Sequence, residues 1–145
     1  MKKINIIILI ICTIILIIVS ITTVKKKSPD IENICLSSDR DSGFDKLKQN
    51  NNYCFDSQNL DIYLIMEVKH LTTEDEIKAR WEKIENGSCK IIQKNIVNPE
   101  QNGSGKIIIS LVKKNDMYPS GSYNVRVYLN GDSKISKKFY ISDKI

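Results

Sequence analysis

Hydrophobic residues follow two different patterns along this 145-residue chain. Residues 4–24 form one apolar run without a charge, a glycine or a proline, whereas the rest of the chain alternates between apolar and polar positions. As a helix, the apolar run would span about 31 Å, close to the ~30 Å hydrocarbon thickness of a bilayer. The sequence therefore predicts one transmembrane helix followed by a body of β-strands.

The apolar run is flanked by two lysines before it and three after it, at residues 25–27. A cleaved signal peptide is the alternative, because residues 6–19 have the length of a signal core, but Ser20 and Thr22 make a poor cleavage site. We expect residues 1–27 to be an uncleaved signal-anchor that contacts membrane lipid through residues 4–24, with a secreted form if cleavage occurs. The short N-terminal flank favours a single-pass protein whose body lies outside the cytoplasm.

The body has apolar residues at alternate positions, which is typical of half-buried strands. Predicted strands cover residues 32–38, 62–69, 77–82, 89–97, 106–113, 122–130 and 133–141. The segment 106–113 is apolar on both sides and is predicted to be a central strand. The Asn-Gly pair at 130–131 predicts a tight hairpin, and the pairs at 86–87 and 102–103 predict two further turns. We expect an all-β, antiparallel sandwich of about seven strands, with an N-terminal strand and loop-rich segment at 28–59 and the main body at 60–145.

Two segments near the C-terminus, YPSGSYNVRVYLNG at 118–131 and KKFYI at 137–141, resemble the last hairpin of bacterial immunoglobulin-like ectodomains. Trp81 is similar to the core tryptophan of a middle strand in such domains, and Tyr123 stands where a tyrosine-corner residue would begin the penultimate strand. The resemblance covers residues 60–141 and implies an immunoglobulin-like sandwich with both aromatic residues in its core. The paired cysteines of antibody domains do not occur near Met66 and Val125, so the resemblance does not extend to the antibody family.

The charge of the chain is concentrated beside the apolar run. The chain has 22 basic and 17 acidic residues, and five of its lysines flank that run, so the body has equal numbers of each sign. A neutral body does not favour nucleic-acid binding. We expect membrane lipid and an unknown protein or cell-envelope component as partners, and no nucleic acid.

Few residues of the body suit catalysis or metal binding. Cys35 and Cys54 are a possible disulfide because both flank a loop-rich segment, and unpaired thiols are the alternative. His70 is the only histidine, and a dyad with Cys89 would lack an orienting residue. The acidic residues at 39–45 do not match a calcium loop, since Asn50 stands at the twelfth position. The sequence therefore predicts no catalytic residue, cofactor or metal.

Three tyrosines face away from the core positions of their predicted strands. Tyr63, Tyr128 and Tyr140 are predicted to form an exposed surface for a partner, although tyrosines also occur at the rims of sandwiches. The predicted function is a membrane-tethered binding or interaction module without catalytic activity. The alternatives are an extracytoplasmic enzyme or thiol-redox protein that uses Cys89 or His70, and a pilin-like structural subunit.

Overall fold

The protein is all-β in the part that the structure, a computed structural model, describes, namely residues 27–41, 53–58, 61–113 and 118–143. Eight strands form two sheets in these residues. The strands are β1 (Asp30–Ser37), β2 (Tyr53–Asp56), β3 (Ile62–Leu71), β4 (Ile77–Glu85), β5 (Ser88–Val97), β6 (Gly103–Leu111), β7 (Gly121–Leu129) and β8 (Asp132–Ser142). The all-β prediction with two sheets is thus confirmed.

The two sheets have different sizes and face each other across one core. The three-stranded sheet has the order β1-β3-β6, and the five-stranded sheet has the order β2-β8-β7-β4-β5. All strand pairs are antiparallel except β2 with β8, which is parallel. Four of the strands in the larger sheet therefore follow the predicted antiparallel arrangement, and β2 departs from it.

The alternation seen in the sequence places one side of each strand in the core. On β3, Ile62, Leu64 and Met66 are fully buried, and they lie opposite inward residues of β6 across the sheet. On β4 and β7 the inward residues likewise alternate with polar ones. The core consists of Ile31, Leu36, Phe55, Ile62, Leu64, Met66, Val68, Leu71, Ile77, Ala79, Trp81, Ile109, Leu111, Tyr118, Tyr123, Val125, Val127, Leu129, Phe139 and Ile141.

Aromatic side chains fill the centre of this core. Trp81 is 0% exposed and Tyr123 is 1% exposed, so both predicted core residues are buried. The ring of Phe139 stacks on Tyr123 with 5.3 Å between centroids and meets Trp81 edge-on at 6.0 Å. The Tyr123 hydroxyl donates a hydrogen bond to the carbonyl of Pro119, which ties the start of β7 to the preceding loop.

Two tight hairpins use two of the three Asn-Gly pairs that the sequence marks, whereas the third pair, at 102–103, lies where β6 begins. Asn130 and Gly131 have φ angles of 54° and 87°, and Asn86 and Gly87 have φ angles of 50° and 78°. Positive φ at both central residues is what a type I′ turn requires, and this turn matches the twist of the flanking strands. The β7–β8 and β4–β5 connections are therefore short and well defined.

One side of the sandwich is closed by a side chain rather than by strand pairing. Gln93 on β5 donates to the carbonyl of Ser110 at 2.8 Å and accepts from the amide of Val112 at 2.9 Å. Both of these groups belong to β6 or directly follow it, at the free edge of the three-stranded sheet. Gln93 thus joins the two sheets and satisfies backbone groups that an edge strand leaves unpaired.

The structure corrects two expectations about strands. The segment predicted as a central strand, β6, is the edge of the three-stranded sheet. Its outward Ile108 therefore has a paired neighbour, Ile65, only on β3. The short strand β2 was not predicted, since only Phe55 of its four residues is buried.

The predicted transmembrane segment, residues 4–24, lies outside the described residues, as do residues 42–52. In the part of the chain that the structure describes, no helix is apolar and long enough to cross a bilayer.

Candidate functional site

The side of the five-stranded sheet that faces away from the core, hereafter the outer face, presents four rows of side chains. The rows arise because the register aligns outward residues of β8, β7, β4 and β5. In order, they are Cys54, Tyr140, Ser122, Ile84 and Cys89; Lys138, Asn124, Glu82 and Ile91; Ser136, Arg126, Arg80 and Lys94; and Ser133, Tyr128, Lys78 and Ile96. Neighbouring rows lie about 7 Å apart along the strands.

A buried carboxylate lies at the centre of the outer face. Glu82 is 2% exposed although it points away from the core. Its Oε1 lies 2.7 Å from Arg80 Nε, and its Oε2 lies 3.1 Å from Arg126 Nε. The Asn124 side chain donates a hydrogen bond to Oε2 at 3.1 Å. Neither Nε makes an aligned hydrogen bond, so the two arginine contacts are ion pairs. Glu82 therefore separates two arginines that are direct partners across β4 and β7.

The ionisation of Glu82 follows from these contacts. Burial by itself raises the pKa of the Glu82 carboxyl, but the Asn124 hydrogen bond and the two arginine charges outweigh burial and hold that pKa below its ordinary value. The carboxylate is consequently charged at neutral pH. One negative charge thus offsets one of the two arginine charges.

Further contacts extend this network across neighbouring strands. The Arg80 guanidinium lies over the ring of Tyr128, 5.3 Å from its centroid, which is a cation–π contact. Ser136 on β8 donates to Asn124 Oδ1 at 2.7 Å. Three strands are therefore linked on the outer face through side chains as well as through backbone hydrogen bonds.

The outer face combines basic and exposed apolar groups. The basic residues in its four rows are Lys78, Arg80, Lys94, Arg126 and Lys138, and the acidic residue in those rows is Glu82. Lys78 pairs with Glu76 at 3.2 Å, just before β4. Tyr140 is 47% exposed, Ile91 is 44% exposed and Ile96 is 56% exposed. Arginine and aromatic residues are enriched in protein–protein interfaces.

The first row lines a shallow groove with a volume of about 440 Å³. Its lining includes Tyr140, Lys138, Ile84, Ser122 and the exposed Cys54. The groove thus offers an aromatic, a cationic and a thiol group to solvent at the end of the outer face that lies near the β4–β5 turn.

The opposite side of the sandwich is different. The outward residues of the three-stranded sheet include Cys35, Ser37 and Ile65, each at most 6% exposed. Tyr63 lies on this side, between Ser37 and Ser110 in the register, and its hydroxyl donates to Asp61 at 2.9 Å. That hydrogen bond raises the pKa of Tyr63.

The three predicted surface tyrosines are therefore divided between the two sheets. Tyr128 and Tyr140 share the outer face of the five-stranded sheet, and Tyr63 belongs to the other sheet. Alternation within a strand indicated that each tyrosine points outward. It did not reveal which sheet each strand joins, so the prediction that all three tyrosines form one surface was wrong.

The predicted Cys35–Cys54 disulfide is not formed, and both residues are free thiols. Cys35 lies on the outward side of the three-stranded sheet, whereas Cys54 lies on the outer face of the five-stranded sheet. The two thiols therefore lie on opposite sides of the sandwich. The Cys35 thiol donates to the carbonyl of Ile65 at 3.7 Å, and burial raises the pKa of that thiol.

His70 and Cys89 do not form a dyad. His70 lies near the end of β3 that leads into β4, and Cys89 lies beside the turn that follows β4. The nine residues of β4 separate these two ends by about 25 Å. His70 adopts a φ of 55°, and its amide donates to Ser104 Oγ at 3.1 Å.

In the described residues, no group of three histidine, cysteine, aspartate or glutamate side chains could hold a metal ion. Asp39 and Asp41, at the start of the acidic loop, form a local turn in which the Asp39 carboxylate accepts from the Asp41 amide at 3.0 Å. The remaining residues of that loop lie outside the described part.

The network around Glu82 was not predicted from the sequence. Arg80 and Glu82 flank Trp81 in the predicted strand, and Asn124 and Arg126 alternate with core residues in another, so each was recognisable as outward-facing. Their proximity was not recognisable, because β4 and β7 are not consecutive in the chain.

Comparison with known proteins gives likeness of fold only. No protein-family model matches the sequence, and no curated protein matches it significantly. Among solved structures, the chain is similar to a Niemann-Pick type C2 protein from the Japanese carpenter ant, at 9% identity and a TM-score of 0.50. The likeness covers 82% of this chain and 96% of that one.

Two larger proteins contain segments that are similar to a lower degree. One is an alkylpurine DNA glycosylase from Pseudomonas fluorescens bound to DNA with an abasic site analog, at 10% identity, 78% coverage of this chain and a TM-score of 0.45. The other is a GH3 beta-glucosidase from Bifidobacterium adolescentis, at 13% identity, 80% coverage and a TM-score of 0.43. This chain spans 30% and 17% of those two chains, respectively.

Proposed function

We propose that the protein is a membrane-tethered, extracytoplasmic binding module whose contact surface is the outer face of the five-stranded sheet. The observation that carries this proposal is the joint placement of Tyr128, Tyr140, two arginines and exposed isoleucines on that one face. The opposite side has buried outward residues and lacks this combination in the described residues. The outer face measures about 20 Å along the strands and about 19 Å across them, which suits a transient contact.

An immunoglobulin-like sandwich is the scaffold we propose for this surface. Setting β2 aside, the orders β1-β3-β6 and β8-β7-β4-β5 correspond to A-B-E and G-F-C-C′ of that fold. Trp81 occupies the position of the strand C tryptophan, and the hydrogen bond from Tyr123 to Pro119 has the geometry of a tyrosine corner. These features support the resemblance that the sequence suggested.

The membrane anchor is the second part of the proposal, and its support comes from the sequence of residues 1–27. Lys27 lies beside His70 and Asn130, at the end of the sandwich that holds the β3–β4 loop and the β7–β8 turn. A helix that ends at residue 24 would leave two residues, 25 and 26, between it and Lys27. The strands of the outer face would then run roughly perpendicular to the membrane, and the row that contains Tyr140 would lie farthest from the lipid.

Chemical crosslinking in intact cells, followed by mass spectrometry, tests the contact surface. Tyr140→Ala should reduce recovery of the crosslinked partner, because an interface tyrosine often contributes about 2 kcal/mol. Tyr63→Ala is the matched control, since it removes the same side chain from the other sheet. An unchanged recovery for Tyr140→Ala, or an equal loss for Tyr63→Ala, would argue against the outer face.

Protease treatment of intact protoplasts tests the tether separately. The body should be degraded from outside while an N-terminal fragment stays in the membrane fraction after a high-salt wash. A protected body would reverse the proposed orientation, and a mature N-terminus after residue 22 would replace the anchor with a cleaved signal.

A further inference from the structure

We propose that the partner of the outer face is an acidic polypeptide segment with interspersed apolar side chains. This inference rests on the proposed function, that the outer face is the contact surface, and adds the chemistry of what binds there. It follows from three properties of the face: the order of its charges, the atoms that its arginines leave available, and the apolar groups beside them.

The third row carries three cations on neighbouring strands. Arg126, Arg80 and Lys94 are successive partners across β7, β4 and β5, so their Cα atoms are about 5 Å apart. Like charges placed directly opposite each other destabilise a sheet. Glu82 offsets only one of the three charges, and a bound anionic group would offset the others.

The arginines keep donors for such a group. Their ion pairs with Glu82 use Nε, the guanidinium nitrogen nearest the main chain. The side chains of Arg80 and Arg126 are 28% and 40% exposed, so their outer ends reach solvent. A planar guanidinium presents paired N–H groups that match a carboxylate, which identifies an aspartate or glutamate side chain as a fitting ligand.

The apolar groups favour a polypeptide over an acidic polymer without apolar parts. Ile91 and Ile96 lie one row to either side of Lys94, and Tyr140 lies on β8, three strands away from β5. All three are at least 44% exposed. A phosphodiester polymer would leave these groups in water, whereas an acidic segment with leucine or similar residues would cover them.

Fluorescence anisotropy with the full-length chain in phosphatidylcholine nanodiscs tests the inference. The probe is a fluorescein-labelled 12-residue peptide of alternating glutamate and leucine, and the comparison peptide replaces glutamate by glutamine. We expect the acidic peptide to bind at least about tenfold more tightly at low salt, and to weaken as salt rises.

Charge reversal locates the binding. Lys94→Glu should weaken binding of the acidic peptide by about tenfold, and Lys106→Glu, an equal change on the three-stranded sheet, should leave it unchanged. Arg80→Lys keeps the charge and removes the paired N–H groups of the guanidinium, so it should also weaken binding while the circular dichroism spectrum remains that of the wild type. Agreement with all three expectations supports the inference.

Three results would overturn it. The first is equal binding of the acidic and neutral peptides, the second is equal weakening by Lys94→Glu and Lys106→Glu, and the third is tighter binding of polyphosphate than of the acidic peptide at equal charge. If one of these occurs while Tyr140→Ala still reduces cellular crosslinking, the contact surface stands and only the acidic polypeptide is rejected.

Discussion

Replacing Glu82 by glutamine removes the one negative charge at the centre of the outer face. Glutamine keeps the shape of the side chain and can still accept the hydrogen bond from Asn124. Arg80 and Arg126, which are direct partners across β4 and β7, would then face each other without the carboxylate between them. The variant therefore isolates the contribution of the Glu82 charge to stability.

The expected loss of unfolding free energy depends on how exposed the three charges are. Removing one partner of a buried ion pair costs about 3–5 kcal/mol, because the other charge is left uncompensated. Glu82 is 2% exposed, but the arginine side chains are 28% and 40% exposed, so water compensates part of the loss. We expect Glu82→Gln to lower the unfolding free energy by about 2 kcal/mol at neutral pH, as measured by urea unfolding.

The same variant should change the dependence of stability on pH. The pKa of Glu82 is lowered in the folded protein, so its charge stabilises the fold above the ordinary pKa of about 4.5, and this stabilisation is lost as pH falls through the folded pKa. The difference between wild type and Glu82→Gln should therefore shrink between pH 7 and about pH 3.

Glu85→Gln is the matched control on the same strand. Glu85 pairs with Lys83 at 2.9 Å, and its side chain is 48% exposed, so its replacement should leave the urea midpoint within error. Equal stability of Glu82→Gln and the wild type would refute the reasoning. So would a stability difference that stays constant from pH 7 to pH 3.

Three further substitutions or conditions test the core and the thiols. Trp81→Ala should lower the unfolding free energy by about 3–5 kcal/mol, and a loss below about 1 kcal/mol would contradict a core position. Tyr123→Phe should lower the unfolding free energy by about 1 kcal/mol, because it removes the hydroxyl hydrogen bond. Burial raises the pKa of Tyr123 to about 12, so the wild type should also lose stability between pH 10 and 12. The Tyr123→Phe variant should lose less stability over the same pH range. In a Cys12→Ser background, maleimide should label Cys54 and Cys89 in the native protein and Cys35 only after unfolding; early labelling of Cys35, or an oxidised Cys35–Cys54 pair, would contradict the structure.

The strands were predictable where one side of each is buried against the core. Alternation around Trp81 and around Val125 reflects that burial directly, because a shift of one residue would expose the whole apolar set. The turn at Asn130 and Gly131 was predictable for a separate reason, since few residue pairs tolerate positive φ at both positions. Both signals depend only on local geometry, and both held.

The pairing of distant strands was not predictable from these local signals. β2 has one buried residue and pairs in parallel with the last strand, so its four residues carry no recognisable pattern. The segment of β6 was apolar on both sides and was therefore assigned to the middle of a sheet, although it lies at an edge. A strand with apolar residues on both sides is expected to be buried on both sides, but this pattern does not indicate how many strands pair with it.

The candidate site was predictable only in part for the same reason. The outward direction of Tyr128 and Tyr140 could be read from alternation within β7 and β8. The division of Tyr63 from them, and the meeting of Glu82 with arginines from two strands, depend on sheet order. Sheet order is a property of the whole chain, and one sequence without relatives does not encode it in any short segment.

Site-specific photo-crosslinking tests most directly whether the outer face is the contact surface. A photoreactive amino acid would replace Tyr140 or Ile96, which lie in the first and fourth rows of the outer face, or Tyr63 on the three-stranded sheet. Each substitution would be made in the full-length protein in living cells. We predict that the Tyr140 and Ile96 positions capture the same partner protein and that the Tyr63 position does not. Capture of that partner from the Tyr63 position alone, or equally from all three positions, would contradict the account.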